Sequence, residues 1–417
     1  MALADLLRDL LGPDLPVAFS LYDGSRLGPA EAPATVVVRS PAALRRIVTA
    51  PGELGFGRAY VAGDLDVEGD IFAAFALRDQ LPEVRLSPRQ WVTALRLAGA
   101  GGLRRLPPPP EEARLRGRRH SKARDAAAVS HHYDVSNEFY RMVLGPSLTY
   151  SCAVWTDPSH SLEEAQANKH ELICRKLALE PGMRLLDIGC GWGGMLLHAA
   201  EHHGVRAVGI TLSKAQADLA AKRVAEAGLA DRVEVRYQDY RDVDDGPYDA
   251  VSSIGMFEHV GVSQLEVYFQ RCFDLLPPEG RLLNHGISRP AHTRSSTTDG
   301  RTRFAKRSFI DRYVFPDGEL HEIGSVVSAI QRQGFEMRHV ESLREHYALT
   351  LRRWVANLEA NWDACAAQAG VARARIWRLY MAASAVNFEA NRTQVHQVLA
   401  VKPDAGRSGL PLRARFE

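Results

Sequence analysis

The chain has 417 residues, 46% hydrophobic and 24% charged, with a formal net charge of +2 at pH 7. That length implies two or three domains with sizeable cores, and the near-neutral balance excludes a general polyanion binder. Cys152, Cys174, Cys190, Cys272 and Cys365 form an odd set with no CxxC pair, which excludes a disulfide framework and a zinc finger and points to a reducing compartment.

Taken in chain order, the N-terminus lacks a basic region followed by a long apolar run, so no secretory signal is expected. It reads as a short amphipathic helix stopped by Gly12-Pro13. No apolar stretch reaches about 18 residues, so no segment is expected to span a bilayer. Thr35 to Arg39 has the β-branched content of a strand. Pro41 to Val48 and Ile71 to Arg78 read as helices, and Gly52 to Gly69 is punctuated by glycines. Residues 1–100 are therefore expected to form a small α+β domain.

Residues 101–127 read as a linker. Four prolines at 107–110 extend it, and Arg114, Arg116, Arg118, Arg119, Lys122 and Arg124 solvate it. The same charges also fit a strip that approaches anionic headgroups, at about 1 kcal/mol per cation. Interleaved aromatic residues are missing, which disfavours a nucleic-acid arm.

Residues 128–417 alternate strand and helix signals. Met183 to Ile188, Arg206 to Ile210, Val233 to Tyr237, Tyr248 to Ile254 and Arg281 to His285 are predicted strands. Met195 to His203, Lys214 to Glu226 and Gln264 to Leu275 are predicted helices. This spacing predicts an α/β fold with a parallel, doubly wound, Rossmann-like sheet. Such sheets bind ligands beyond the carboxyl ends of their strands.

The central motif is Leu185-Leu186-Asp187-Ile188-Gly189-Cys190-Gly191-Trp192-Gly193-Gly194. Its glycines allow a sharp turn and a close backbone approach to a ligand. Asp187 at the strand end suits a nucleoside with an amino-acid tail better than a pyrophosphate. The motif resembles motif I of class I methyltransferases, which implies S-adenosylmethionine (SAM) as cosubstrate. Asp187, Gly189, Gly191, Trp192 and Gly193 are the first candidate cofactor residues. The second strand runs into Thr211-Leu212-Ser213-Lys214-Ala215-Gln216 without the acidic residue common after that strand. Thr211 and Gln216 offer neutral polar contacts instead, beside Leu212, while Gln238, Asp239 and Tyr240 suit the adenine edge. His131-His132 is not read as a metal site, because adjacent histidines in an extended segment point opposite ways.

Gly209 to Gln216, Tyr237 to Val243, Gly255 to Gly261, His131 to Tyr140 and Leu148 to Trp155 together resemble the cyclopropane-fatty-acyl-phospholipid synthase family. The resemblance is close over residues 128–395, and Ala59 to Asp70 is similar to the family's N-terminal domain. It implies transfer of a one-carbon unit from SAM to a carbon–carbon double bond of a phospholipid acyl chain. The product passes through a carbocation that must be kept from water. Bound bicarbonate is implied as the base, held by Cys152, Glu258, His285, Ile287 and Tyr347. Tyr133 and Ser151 are implied on the cofactor's carboxylate side. Taken singly, each of these side chains also fits a packed or capping role. Several family members carry a cysteine where Ser384 stands, so a covalent cysteine mechanism is not expected here. The helix Trp377 to Asn391 is expected to line the acyl channel with Met381, Ala385 and Phe388, or to be an ordinary core helix.

Tyr22 to Ser25, Thr49 to Gly52, Val154 and Val395 to Val401 are similar to actinobacterial members that make 10-methylene or 10-methyl chains from oleoyl lipids. They favour a 10-methylene product over a cyclopropane. A small-molecule methyltransferase on the same sheet, or a non-enzymatic lipid-binding protein, are the readings from other classes. The first hundred residues are expected to dock lipid or to support a homodimer, and Arg301 to Arg307 with Phe304 forms either a second basic patch or a solvated loop. The resemblance implies a cytoplasmic protein in transient contact with the inner face of the plasma membrane.

Overall fold

The computed structural model describes residues 3–80, 87–99, 104–113, 121–122, 124–125, 128, 135–291, 308–413 and 415–416. It divides into two compact units. One comprises Met1–Arg114, Lys306–Val314 and Trp362–Val386; the other comprises Leu115–Ala305, Phe315–Asn361 and Asn387–Glu417.

In the first unit, β1 (Ala18–Leu21), β2 (Arg26–Leu27), β3 (Ala34–Val38) and β4 (Leu65–Gly69) form a sheet in the order β2-β1-β3-β4. Ala34, Val36 and Val38 are buried on alternate positions of β3, as a strand with one covered face requires. The helix Pro41–Thr49 starts where Ser40 accepts a hydrogen bond from the Ala42 amide. The glycine-punctuated stretch hides a second helix, Glu53–Val61. Gly57 is there for proximity rather than for a turn, since a Cβ would lie 2.3 Å from the Phe309 ring.

The helix Val371–Glu389 begins before the expected Trp377. Its Arg375 donates to Asp66 at 2.6 Å, and Arg378 to the Tyr60 hydroxyl and the Val67 carbonyl at 3.1 and 3.0 Å. These bonds tie residues late in the chain to β4. The middle of the expected linker is not solvated throughout. Glu112 is buried and pairs with Arg58 at 2.8 Å, because a desolvated carboxylate needs such a partner.

The second unit is built on β5 (Arg184–Ile188), β6 (Arg206–Thr211), β7 (Val233–Tyr237), β8 (Ala250–Ile254), β9 (Arg281–Arg289), β10 (His321–Glu322), β11 (Glu336–Ser342) and β12 (Gln394–Val401). The order is β11-β12-β9-β8-β5-β6-β7, with β10 beside β9. The sheet is mixed rather than wholly parallel. β5 to β9 run parallel, but β12 is antiparallel to both β9 and β11. Helices cover both faces, as alternation along β5 demonstrates. Leu185 packs with Ile173, Leu177 and Leu196, whereas Leu186 packs with Tyr248, Phe269 and Val398. Lys122 and Arg124, counted in the expected basic strip, pair with Asp242 and Asp317 at 2.6 and 2.5 Å. Arg114, Arg116, Arg118 and Arg119 lie outside the described residues, as do Arg301 to Arg307.

Candidate active site

The crossover from β5 to the helix Gly194–His203 forms the floor of a cleft of about 900 Å³ that opens to solvent. Gly189 and Gly193 have φ of +81° and +82°, a region that side chains with a Cβ rarely enter. Of the sequence candidates, Ser151, Asp187, Gly189, Gly191, Trp192, Thr211, Leu212, Gln216, Gln238 and Tyr240 line the cleft. Two candidates are placed otherwise. Gly193 caps the helix instead of joining the lining, and the Asp239 carboxylate is taken by Arg241 at 2.7 and 2.6 Å. Asp239 also caps its own short 3-10 turn, accepting from the Arg241 backbone amide at 2.9 Å. Tyr133 falls outside the described residues.

Several candidates are rigidly held. Trp192 donates to Asn137 at 2.8 Å, and its carbonyl accepts from Arg223 at 2.6 Å. Thr211 donates to the Gln216 side chain at 2.8 Å. Asp187 accepts from Ser252 at 2.6 Å, yet burial still raises its carboxyl to about 6.

The cleft also contains a residue that sequence reasoning missed. Lys169 is buried, lines the cleft and donates to the Ser151 hydroxyl at 3.0 Å. Desolvation lowers its ammonium to about 7, against the opposing pull of Asp187 and Cys152. His170, its neighbour in the cleft wall, is pushed well below the imidazole range by burial and then by Lys169. The signal was present in the sequence. In the helix Leu162–Leu177, the buried stripe runs through Leu162, Ala165, Gln166, Lys169, Ile173 and Leu177, so Lys169 occupies an apolar position of the period.

None of Cys152, Glu258, His285, Ile287 and Tyr347 lines this cleft. Backbone and side-chain contacts link Cys152, Glu258, Ile287 and Tyr347, and His285 stands two residues from Ile287 on the same strand. Glu258, in the short helix after β8, accepts from the Ile287 amide at 2.6 Å. Ile287 and His285 are two residues apart on β9 and share a face. Ile287 lies opposite Val395 on β12, whose carbonyl accepts from the Leu343 amide at 2.9 Å. The Leu343 carbonyl in turn accepts from the Tyr347 amide at 3.1 Å and the Cys152 thiol at 3.6 Å. Two buried polar atoms of this set, Glu258 Oε2 and His285 Nε2, have no hydrogen-bond partner among the described residues.

Burial sets the charge states. Glu258 is raised to about 7 by desolvation, offset by the Ile287 amide. The His285 imidazole is pushed well below its ordinary range by burial and then by Lys169 and Lys176, so it is neutral. The Cys152 thiol is pushed far up by burial, so it is a weak donor and not a thiolate. Tyr347 packs edge-on against Trp354 and against Phe388, at 6.0 and 4.7 Å between ring centres.

Among the described residues, one trio of metal-ligand types occurs away from the cleft lining: the ligand atoms of Cys174, His198 and His203 lie within 4.8 Å of one another. Both imidazoles already bond the Glu171 carboxylate, at 3.3 and 3.0 Å.

The doubly wound sheet, the glycine crossover at the end of β5 and the cleft above it define a class I SAM-dependent methyltransferase. Comparison with known proteins narrows this class. Residues 120–398 match the family model described as mycolic acid cyclopropane synthetase. The chain is 48% identical over 410 residues to the probable fatty acid methyltransferase of Mycobacterium tuberculosis, covering 95% of this chain and 94% of that one. It is 35% identical over 369 residues to the cyclopropane-fatty-acyl-phospholipid synthase of Escherichia coli, covering 88% of each. Among solved structures it resembles mycolic acid cyclopropane synthase CmaA1 complexed with SAH and CTAB, with a TM-score of 0.63, 35% identity, and coverage of 66% of this chain and 98% of that one. The chain therefore belongs to the cyclopropane-fatty-acyl-phospholipid synthase family of SAM-dependent fatty acid methyltransferases.

Proposed function

We propose that the protein transfers a one-carbon unit from SAM to the cis double bond of an oleoyl-type chain in a membrane phospholipid, giving a 10-methylene acyl product. The observation that carries this reading is the pair of buried atoms unpartnered among the described residues, Glu258 Oε2 and His285 Nε2, in a set of residues linked through Ile287.

The chemistry follows from the electrophile. The sulfonium methyl of SAM bonds to one alkene carbon, leaving S-adenosylhomocysteine and a cation on the neighbouring carbon. A hydride then shifts from the methylated carbon to that neighbour, moving the charge to the more substituted position. Loss of a proton from the added methyl yields the exocyclic methylene. If ring closure accompanies proton loss before the shift, the product is a cyclopropane instead.

Asp187 and Ser151 border the cleft where the cofactor's cationic and carboxylate groups would sit. A trigonal oxyanion fits the neighbouring cluster in donor type and charge. The neutral imidazole and the Cys152 thiol can donate, the Glu258 carboxylate can accept from a hydroxyl, and the buried Lys169 supplies compensating charge. Bicarbonate held there would supply the base that takes the proton. Glu258 orients it by accepting its hydroxyl, and the Glu258 carboxylate is itself held by the Ile287 amide. No described helix is long and apolar enough to cross a membrane. In this reading the phospholipid is met at the membrane surface.

The test is incubation of the protein with oleoyl phospholipid vesicles and SAM, with and without bicarbonate, followed by mass spectrometry of the released acyl chains. The methylene and cyclopropane products have equal mass, and ozonolysis cleaves only the methylene. A bicarbonate-dependent, ozone-labile product is expected. A resistant product replaces the methylene with the cyclopropane outcome. Absence of any modified acyl chain, with SAM consumed on another acceptor, overturns the lipid assignment.

A further inference from the structure

Behind His285 lies a chain of polar side chains, none of which lines the cleft, that runs through the buried Gln397 and Lys176 to the partly exposed Glu341. Gln397 on β12 sits directly opposite His285 on β9. Its amide nitrogen is 3.2 Å from His285 Nδ1, and its amide oxygen is 2.7 Å from Lys176 Nζ. Lys176 also donates to the Glu341 carboxylate. Gln397 and Lys176 are both fully buried. Burying an ammonium costs several kcal/mol unless its protons are matched, so a lysine at this place needs an account beyond packing.

The bonding pattern has one consistent solution. A lysine ammonium is a donor only, so the Gln397 oxygen must face Lys176. The Gln397 NH₂ must then face His285 Nδ1, which is left to accept. A neutral imidazole that accepts at Nδ1 carries its proton on Nε2. His285 Nε2 is the buried nitrogen with no partner among the described residues. Lys176 thereby determines, through Gln397, which ring nitrogen carries the proton.

We propose that Lys176 and Gln397 are positioning residues that lock His285 in the Nε2–H form, so that it donates to an anion held beside Glu258. The proposal rests on the anion reading of the preceding section and adds two residues to it. Neither Lys176 nor Gln397 lines the cofactor cleft, so both act through His285.

The test reads the tautomer separately from the reaction. In ¹⁵N-histidine-labelled protein, His285 is expected as neutral Nε2–H, with two widely separated ring-nitrogen shifts assigned against a His285→Asn sample. In Lys176→Met the Gln397 amide is free to rotate. Its oxygen can then accept from Nδ1, so the imidazole is expected to move toward the Nδ1–H form. In Gln397→Met neither form is favoured, and the two shifts should converge. Both variants should raise the KM for bicarbonate about tenfold, the worth of one hydrogen bond, while the Kd for SAM stays within about twofold of the parent. Circular dichroism identifies a variant that has merely misfolded, in which case the parent tautomer decides. An Nδ1–H tautomer in the parent overturns the proposal, as does an unchanged tautomer in both folded variants. If the tautomers behave as expected but turnover ignores bicarbonate, the lock stands and the anion reading fails.

Discussion

Glu258 and Ile287 meet at 2.6 Å, carboxylate oxygen to backbone amide, although 29 positions separate them in the chain. The bond spans from the helix after β8 to the middle of β9 and aims the second carboxylate oxygen into the protein. In the proposed reaction this is the oxygen that would accept from a proton-bearing oxyanion. Desolvation keeps its carboxyl near neutrality at about 7.

Glu258→Gln is expected to keep the bond to the Ile287 amide while removing the charge. Turnover should fall by about 10²–10⁴, the usual range for a group handling a proton. In the parent, turnover should decline as pH falls through about 7, where the carboxylate is lost. Stability moves the other way. A carboxyl raised from 4.5 to about 7 in the fold contributes stability that is fully present below 4.5 and lost as pH rises through about 7. The neutral variant escapes that loss, of about 3 kcal/mol. Its Tm advantage should widen between about pH 5 and pH 8; a flat difference across that range would contradict the burial account.

Lys169→Met tests the charge in the cofactor cleft. Its ammonium is one of the influences that keep Asp187 from rising further. Without it, the Asp187 carboxyl should rise above about 6, and SAM affinity at neutral pH should drop up to about tenfold, or ~1.4 kcal/mol. Calorimetric titration across pH checks this: the loss should shrink at higher pH, where Asp187 ionises again.

Gly286, between His285 and Ile287, is held to glycine by space rather than by conformation. A Cβ there would lie 1.8 Å from the Phe257 ring. Gly286→Ala should cost about 1–3 kcal/mol by overpacking and should displace Phe257, the neighbour of Glu258. Urea denaturation measures the first effect. A rise in the KM for bicarbonate without a change in SAM binding would report the second.

All five cysteines are buried, and burial raises each thiol above its ordinary range. The folded protein should therefore resist iodoacetamide at pH 7, with every cysteine alkylated only after unfolding. Peptide mass spectrometry decides. Rapid labelling of Cys152 in the native state would contradict its assignment as a buried neutral thiol.

Much of the site was legible along the chain because its signals are local. A strand, a glycine crossover and a helix follow one another between Arg184 and His203, and each carries its own periodicity. The candidates around Asp187, Thr211 and Gln216 follow from that continuity. The pairing of Asp239 with Arg241, two residues on, was not anticipated from the sequence. Neither the reversed strand β12 nor the attachment of Val371–Glu389 to β4 carries a local signature. Strand direction and helix docking are settled by partners far away in sequence.

The amino-acid sequence by itself determined the α/β alternation, the glycine loop and the residue types available for the chemistry, since these depend on patterns within a few turns of chain. The tertiary structure alone decided which polar groups lose water. Lys176 and Gln397 read as ordinary polar residues until packing buries them. Only in that low-dielectric setting do their hydrogen bonds and charges determine what His285 can do.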